Sequence, residues 1–411
     1  MRSSLIRTIA PALLCLVLLV GCREPGRRQS FDARSEAARS DRRTVVDMRG
    51  VRVTLPLDIT RVATIDDGFV ESVMGRLGVI RKLVATGSWS LKRSYDYRYP
   101  TADGRGRAYQ RGMSTAVYLH PWLTSLPSVG SEESDAINYE ALAQSAPDVV
   151  ILRVGDCTVG TTKDVVVRTT ATIESLGIPL IVLLAPSSVA SADLTSMREE
   201  MRVLGDVFGK EQEALALADE LRSTEALVRE RTRDVPDAER PTALYLGLSA
   251  GARQAGGAGL VWGTDTAESH MLEQLVGARN AYRGRGFQVR LSAEHLLALD
   301  PDVIFLPTAA GYHPPRELYE APYYRFLRDL KAVRNRRVHA LPWSPMNCAR
   351  RVEYPIDLMI MAKGAYPDRF RDILVHSWVL DFYKRTYRVG DDVAVGLRSA
   401  QWLDWTVEEG F

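Results

Sequence analysis

The sequence predicts an α/β protein of two lobes with mostly parallel sheets, joined by a long helical segment. Three observations predict it. Short apolar runs alternate with amphipathic stretches, the rhythm of βα units. One block occurs twice without gaps: "NYEALAQSAPDVVIL" at 138–152 and "SAEHLLALDPDVIFL" at 292–306. Between the copies, Leu217, Leu221 and Val228 recur at helical spacing among charges.

The chain opens with "MRSSLIRTIAPALLCLVLLVGC". Its apolar run, Ile9 to Val20, is shorter than the roughly 20 residues that span a bilayer. With charged residues before it and small residues after it, residues 1–21 read as a secretory signal. The tail at 22–43 is rich in charge and poor in apolar residues, so it reads as a disordered tether.

The whole chain has 53 basic and 51 acidic side chains, and loss of Arg2 and Arg7 with the signal leaves 51 of each. That balance argues against a nucleic-acid partner and against polybasic adhesion to a membrane. Of the 4 cysteines, Cys157 and Cys348 remain beyond Cys15 and Cys22, too few for a disulfide scaffold.

Strands are expected at "RVATI", "KLVATG", "PDVVIL" and "IPLIVLL" in an N-terminal lobe at 44–190. "TALYLGL", "PDVIFLP" and "RVHALPW" are expected as strands of a C-terminal lobe at 237–366. In each copy of the repeat a capping residue, Asn138 or Ser292, precedes a short helix, and Pro-Asp then ends it and opens a buried strand. Residues 191–236 form the helical linker, stopped by Pro236, and 367–411 form a helical extension.

Ligands gather at the carboxyl ends of parallel strands. That rule nominates Asp66 and Asp67 after the first strand, Trp89 and Lys92 after the second, and Asp156 and Cys157 after the third. In the second lobe it nominates Arg253, Trp262, Tyr312, His313, Trp343, Asn347, Cys348, Arg350 and Arg351. Aromatic walls suit a flat or bulky ligand, and arginines pair with anionic oxygens. The segment with Tyr95, Tyr97, Tyr99, Tyr109 and Tyr118 reads as an aromatic edge strand or as a lid. Cys157 and Cys348 are expected on opposite walls of one space, as a disulfide, as soft donors or as inert wall residues.

This pattern resembles the substrate-binding proteins of bacterial ABC importers, in the class with a helical spine that takes iron–siderophore complexes, haem or cobalamin. The carrying stretches are "TVVDMRGVRVTLP", "RVATID", "LVATG", "GIPLIVL", both copies of the repeated block and "RRVHALPW". The resemblance implies two Rossmann-like lobes, a rigid helix between them and a ligand held in the cleft. Leu19-Val20-Gly21-Cys22 looks like a lipobox, which implies acylation of Cys22 and a lipid anchor in the cell envelope. The implied partners are a small-molecule metal chelate, most simply a ferric siderophore, and the permease and ATPase subunits of the importer. Glu71 and Glu273 are the nearest matches to the glutamates with which the family meets its permease. A monomer, no enzymatic activity, no cofactor and no resident metal are expected. The segment from Ser88 to Gly130 is longer than the family's pattern, and the C-terminal extension lies beyond its usual end.

Two other classes are weighed. A bare-ion carrier needs several converging ligands, and the six histidines are scattered. A hydrolase would use Ser249 in "GLSAG", but "ARQAGGAG" after it reads as a glycine-rich loop and not the helix a nucleophile elbow requires.

Overall fold

The computed structural model describes residues 41–88, 91–130, 136–155, 159, 162–189, 193–307, 314–344 and 350–411. Chain entry is a two-stranded ribbon, β1 (Arg42–Val46) with β2 (Arg52–Pro56). Next come β3 (Val62–Ile65), α1 (Phe69–Arg76) and β4 (Leu83–Thr86). The tyrosine-rich segment folds as an antiparallel hairpin of β5 (Tyr95–Tyr99) and β6 (Arg107–Gly112), followed by α2 (Thr115–Leu119). The lobe is completed by α3 (Tyr139–Gln144), β7 (Val149–Val154), α4 (Lys163–Ser175) and β8 (Leu180–Leu184). Its sheet runs β4-β3-β7-β8, all parallel. Every residue of β3 and β7 is buried, as a sheet covered on both faces demands.

The linker is helical but not continuous. α5 (Thr195–Phe208) ends at Gly209, whose φ of 66° gives the left-handed turn that glycine adopts without penalty, and α6 (Glu211–Thr232) runs back along it. Arg198 pairs with Asp219 at 3.3 Å, 21 residues on, which fixes the antiparallel sense. α5 packs on β8 and α1 of the first lobe.

The second lobe contains β9 (Thr242–Gly247), α7 (Ala250–Gln254), β10 (Gly259–Val261), α8 (Ala267–His270), β11 (Arg279–Asn280) and β12 (Val289–Leu291). It continues through α9 (Ala293–Leu299), β13 (Val303–Leu306), α10 (Pro315–Glu320), α11 (Lys331–Arg334), β14 (Val338–Ala340) and α12 (Tyr354–Ala365). β9, β13, β14 and β11 are parallel, while β10 and β12 add antiparallel pairings at one edge. α6 packs on α12 of this lobe, so the helical hairpin gives one helix to each half. The extension adds α13 (Val375–Tyr387), α14 (Asp391–Ala400) and α15 (Trp405–Glu408).

The repeated block owes its Pro-Asp to one device used twice. Asp148 accepts from Thr60 N at 2.8 Å and Thr60 Oγ1 at 3.0 Å. Asp302 accepts from Thr242 N at 2.8 Å and Thr242 Oγ1 at 2.9 Å. Each carboxylate thus ties the start of the neighbouring strand. Each short helix is capped in the same way, Asn138 accepting from Ala141 N at 2.9 Å and Ser292 from His295 N at 3.3 Å.

One apolar cluster runs from Phe69 and Val73 through Leu204, Leu217 and Leu221 to Leu244, Phe305 and Ile356. A second, smaller cluster with Ile65, Leu152 and Ile173 fills the other face of the first sheet.

Candidate functional site

The carboxyl ends of β3 and β7 meet residues from the second lobe at a buried set of charges. Asp67, just past β3, accepts from Ser88 Oγ at 2.9 Å and from Arg351 of the second lobe at 3.1 Å. Arg153, in the otherwise apolar β7, forks onto Glu200 of α5 at 2.6 and 3.0 Å. Its other terminal nitrogen donates to the carbonyl of Arg350 at 2.9 Å, and its guanidinium lies 4.1 Å from the centre of the Phe69 ring. Arg350 in turn reaches Glu268 at 2.7 Å and Asp357 at 3.1 Å. Such groups are tolerated in an interior because each faces opposite charge or a hydrogen-bonding partner.

Beside this set lies a small void of about 30 Å³, room for a water molecule or two, lined by Trp343, Ser344, Arg350, Arg351, Glu353, Tyr354, Asp357 and Gln401. Both signs of charge and two aromatic rings therefore face one space. Burial pushes the Asp357 carboxyl up to about 7 against the pull of Arg350.

The strand-end rule brings Arg350, Arg351 and Trp343 to the cavity wall, with Asp67 held against Arg351. It fails for others. Trp262 is a core residue, 1% exposed, packed edge-on against Tyr245 and Phe287. Asp66 turns inward, where it accepts from Val70 N at 2.8 Å at the start of α1 and lies 3.7 Å from Arg153. Lys92 donates to the carbonyl of Leu126 within its own lobe. Arg253 donates to Tyr324 at 2.9 Å, lies over Tyr323 and stands 3.5 Å from Glu317, none of them residues of the void. Trp89, Asp156, Cys157, Tyr312, His313, Asn347 and Cys348 lie outside the described residues, as does Cys22.

Glu71 is corrected most plainly: it is fully buried and cannot meet a permease. Thr64 donates to it, and burial, then the nearby Asp66, holds its carboxyl well above the usual range. Glu273 is 23% exposed and accepts from Asn280 N at 3.2 Å and from Arg283. The start of "ARQAGGAG", expected as a loop, belongs to the helix Ala250–Gln254, and Ser249 caps it by accepting from Ala252 N at 3.3 Å.

Arg153, Glu200, Glu268, Asp357 and Gln401 escaped the sequence reading. Arg153 had a signal, since a lone arginine inside "VVILRV" demands a buried partner. The acids it and Arg350 meet sit on helices remote in sequence.

The sequence model of the periplasmic binding protein family matches residues 72–344. The chain belongs to that family. This periplasmic binding protein is a solute-binding component of ABC import, acts outside the cytoplasm and is not an enzyme. Its fold is similar to that of a periplasmic solute-binding protein from Veillonella parvula at TM-score 0.67 and 21% identity, covering 90% of this chain and 100% of that one. CeuE of Helicobacter pylori, solved as a nickel–histidine complex, matches at TM-score 0.60 and 17% identity, covering 86% and 98%. A periplasmic haem-binding protein from Pseudomonas aeruginosa matches at TM-score 0.51 and 22% identity, covering 76% and 94%. No curated protein shows significant sequence similarity to the chain. No helix among the described residues is long and apolar enough to cross a membrane.

Proposed function

We propose that this periplasmic binding protein captures a metal chelate, foremost a ferric siderophore, between its lobes and delivers it to the permease of an ABC importer. The observation that carries the reading is the residue set at the lobe boundary, where Trp343 and Tyr354 stand beside Arg350, Asp357 and the Arg351 that reaches Asp67 of the first lobe. A chelate offers an apolar body and charged oxygens together, which such a lining suits. The nickel–histidine complex of CeuE supports a chelated metal as cargo. The haem-binding neighbour from Pseudomonas aeruginosa favours a tetrapyrrole, haem or a corrinoid, as the second reading. A bare ion is a weaker candidate, because no group of three His, Cys, Asp or Glu converges among the described residues.

The proposal includes a lipid anchor on Cys22, which rests on Leu19-Val20-Gly21-Cys22, and Glu273 as the lobe-two contact for the permease. The test is intrinsic tryptophan fluorescence of metal-free protein titrated separately with a ferric trihydroxamate, haemin, cyanocobalamin and Zn²⁺. Saturable quenching by the ferric chelate is expected. Quenching by Zn²⁺ alone would overturn the proposal.

A further inference from the structure

We propose that the C-terminal extension is a strap that ties the two lobes of this chain to each other. The family match ends at residue 344, so all three helices of the extension lie beyond it.

Gln401, directly after α14, is the junction. Its side-chain amide donates to Thr115 Oγ1 of the first lobe at 3.1 Å. Its backbone carbonyl accepts from Trp343 N of the second lobe at 2.9 Å. Its side-chain oxygen accepts from Tyr383 of the extension itself at 3.1 Å, and the residue is 2% exposed. The neighbouring carbonyl of Ala400 accepts from Met113 N at 3.1 Å, again in the first lobe. A buried residue whose polar groups are all satisfied by two lobes and a third element has no alternative partners if those lobes part.

Trp402 repeats the pattern with apolar surface. Its indole N–H donates to Gln110 O at 2.9 Å, and its ring lies 5.8 Å from Tyr109 of the hairpin and 5.4 Å from Trp343. Its backbone takes φ of 52°, an unfavourable region for tryptophan that persists only where the surroundings over-determine it. Gly112 leaves no room beside it, since a Cβ there would stand 2.8 Å from the indole.

The hairpin closes the same boundary from the other direction. Tyr97 donates to Glu317 of α10 at 2.7 Å, and Arg107 forks onto Glu320. The lobes are thus gripped by an arm of the first lobe and by the tail of the second. A purely superficial extension would touch one lobe and leave the boundary free to open.

The test needs no ligand, so its outcome is independent of the cargo's identity. In full-length chain with its native cysteines replaced by serine, spin labels at the exposed Gln144 and Glu294 report the inter-lobe distance by double electron–electron resonance. The solute-free protein should give one narrow distribution, and Gly112→Val, which wedges Trp402 out, should broaden it at least twofold. A broad or two-peaked distribution in the unmutated chain, or an unchanged one in Gly112→Val, would overturn the strap. If that variant fails to fold, hydrogen exchange of the unmutated chain decides. The amides of Met113 and Trp343 should be as protected as those of β7, and exchange within seconds would overturn it.

Discussion

Asp67 and Arg351 join the two lobes by a hydrogen bond of 3.1 Å across 284 residues of sequence, with side chains 1% and 8% exposed. A buried pair of this kind adds little over an apolar replacement, but removing one partner strands a charge. Asp67→Leu should therefore cost about 3–5 kcal/mol in urea unfolding. Asp67→Leu with Arg351→Met should recover most of it. A single substitution that costs under about 1 kcal/mol would show that water already reaches the pair.

Glu71 gives a pH dependence whose sign is fixed by its burial. A carboxyl with a raised folded-state value binds its proton more tightly when folded. Stability from this group is present below the ordinary carboxylate value and is lost as pH rises through the raised one. Glu71→Gln should remove that slope in thermal melts taken above the ordinary carboxylate range and leave the fold intact. A slope retained in Glu71→Gln would place the titrating group elsewhere.

His339 works in the opposite sense. Burial, then Arg337, pushes its imidazole down to about 3, and it packs 4.6 Å from Phe411. The folded state resists a proton that the unfolded chain accepts, so stability should fall as pH drops below 6.5 toward 3. His339→Phe should lose this acid sensitivity, as read by urea midpoints at pH 7 and 4.5. An equal drop in both proteins would contradict the assignment.

Gly205 tests the helical hairpin. Alanine in a helix interior normally gains about 1 kcal/mol over glycine. Here a Cβ would lie 2.6 Å from Glu211 Cα and 3.0 Å from Ala214 Cβ. Gly205→Ala should instead destabilise by about 1–3 kcal/mol. A gain in melting temperature would mean that α5 and α6 pack less closely.

Trp343 and Trp262 are equally buried, each 1% exposed, but only Trp343 lines the void. Trp343→Phe should abolish most ligand-induced quenching while calorimetry shows the affinity within about tenfold, or 1.4 kcal/mol, of the parent. Quenching that survives in full would move the site away from the cavity.

The strands were legible because β3, β7, β8, β9, β13 and β14 are apolar runs in buried, mainly parallel pairings, which leave a pattern in sequence alone. The repeated Pro-Asp was legible as a motif, though not as the tie to Thr60 and Thr242 that explains it. The break at Gly209 was missed because the heptad-like apolar spacing continues on both sides of it. The site was legible only in part. Strand-end position singles out Arg350 and Arg351, but it cannot tell Trp343, which lines the void, from the equally buried Trp262, which does not. Nor can it foresee that Asp67 meets Arg351, since nothing local encodes a partner in the other lobe. The extension's grip on Thr115 and Gln110 was hidden for the same reason.

The central claim, that the cargo is a metal held by an organic chelator, is tested most directly by native mass spectrometry. Metal-free protein is incubated with an equimolar mixture of a ferric trihydroxamate, haemin, cyanocobalamin and Zn²⁺, then desalted and ionised intact. A one-to-one adduct with the mass of an entire metal chelate, the ferric one foremost, is predicted. An adduct of Zn²⁺ alone, or a protein that leaves every chelate in solution, would contradict it.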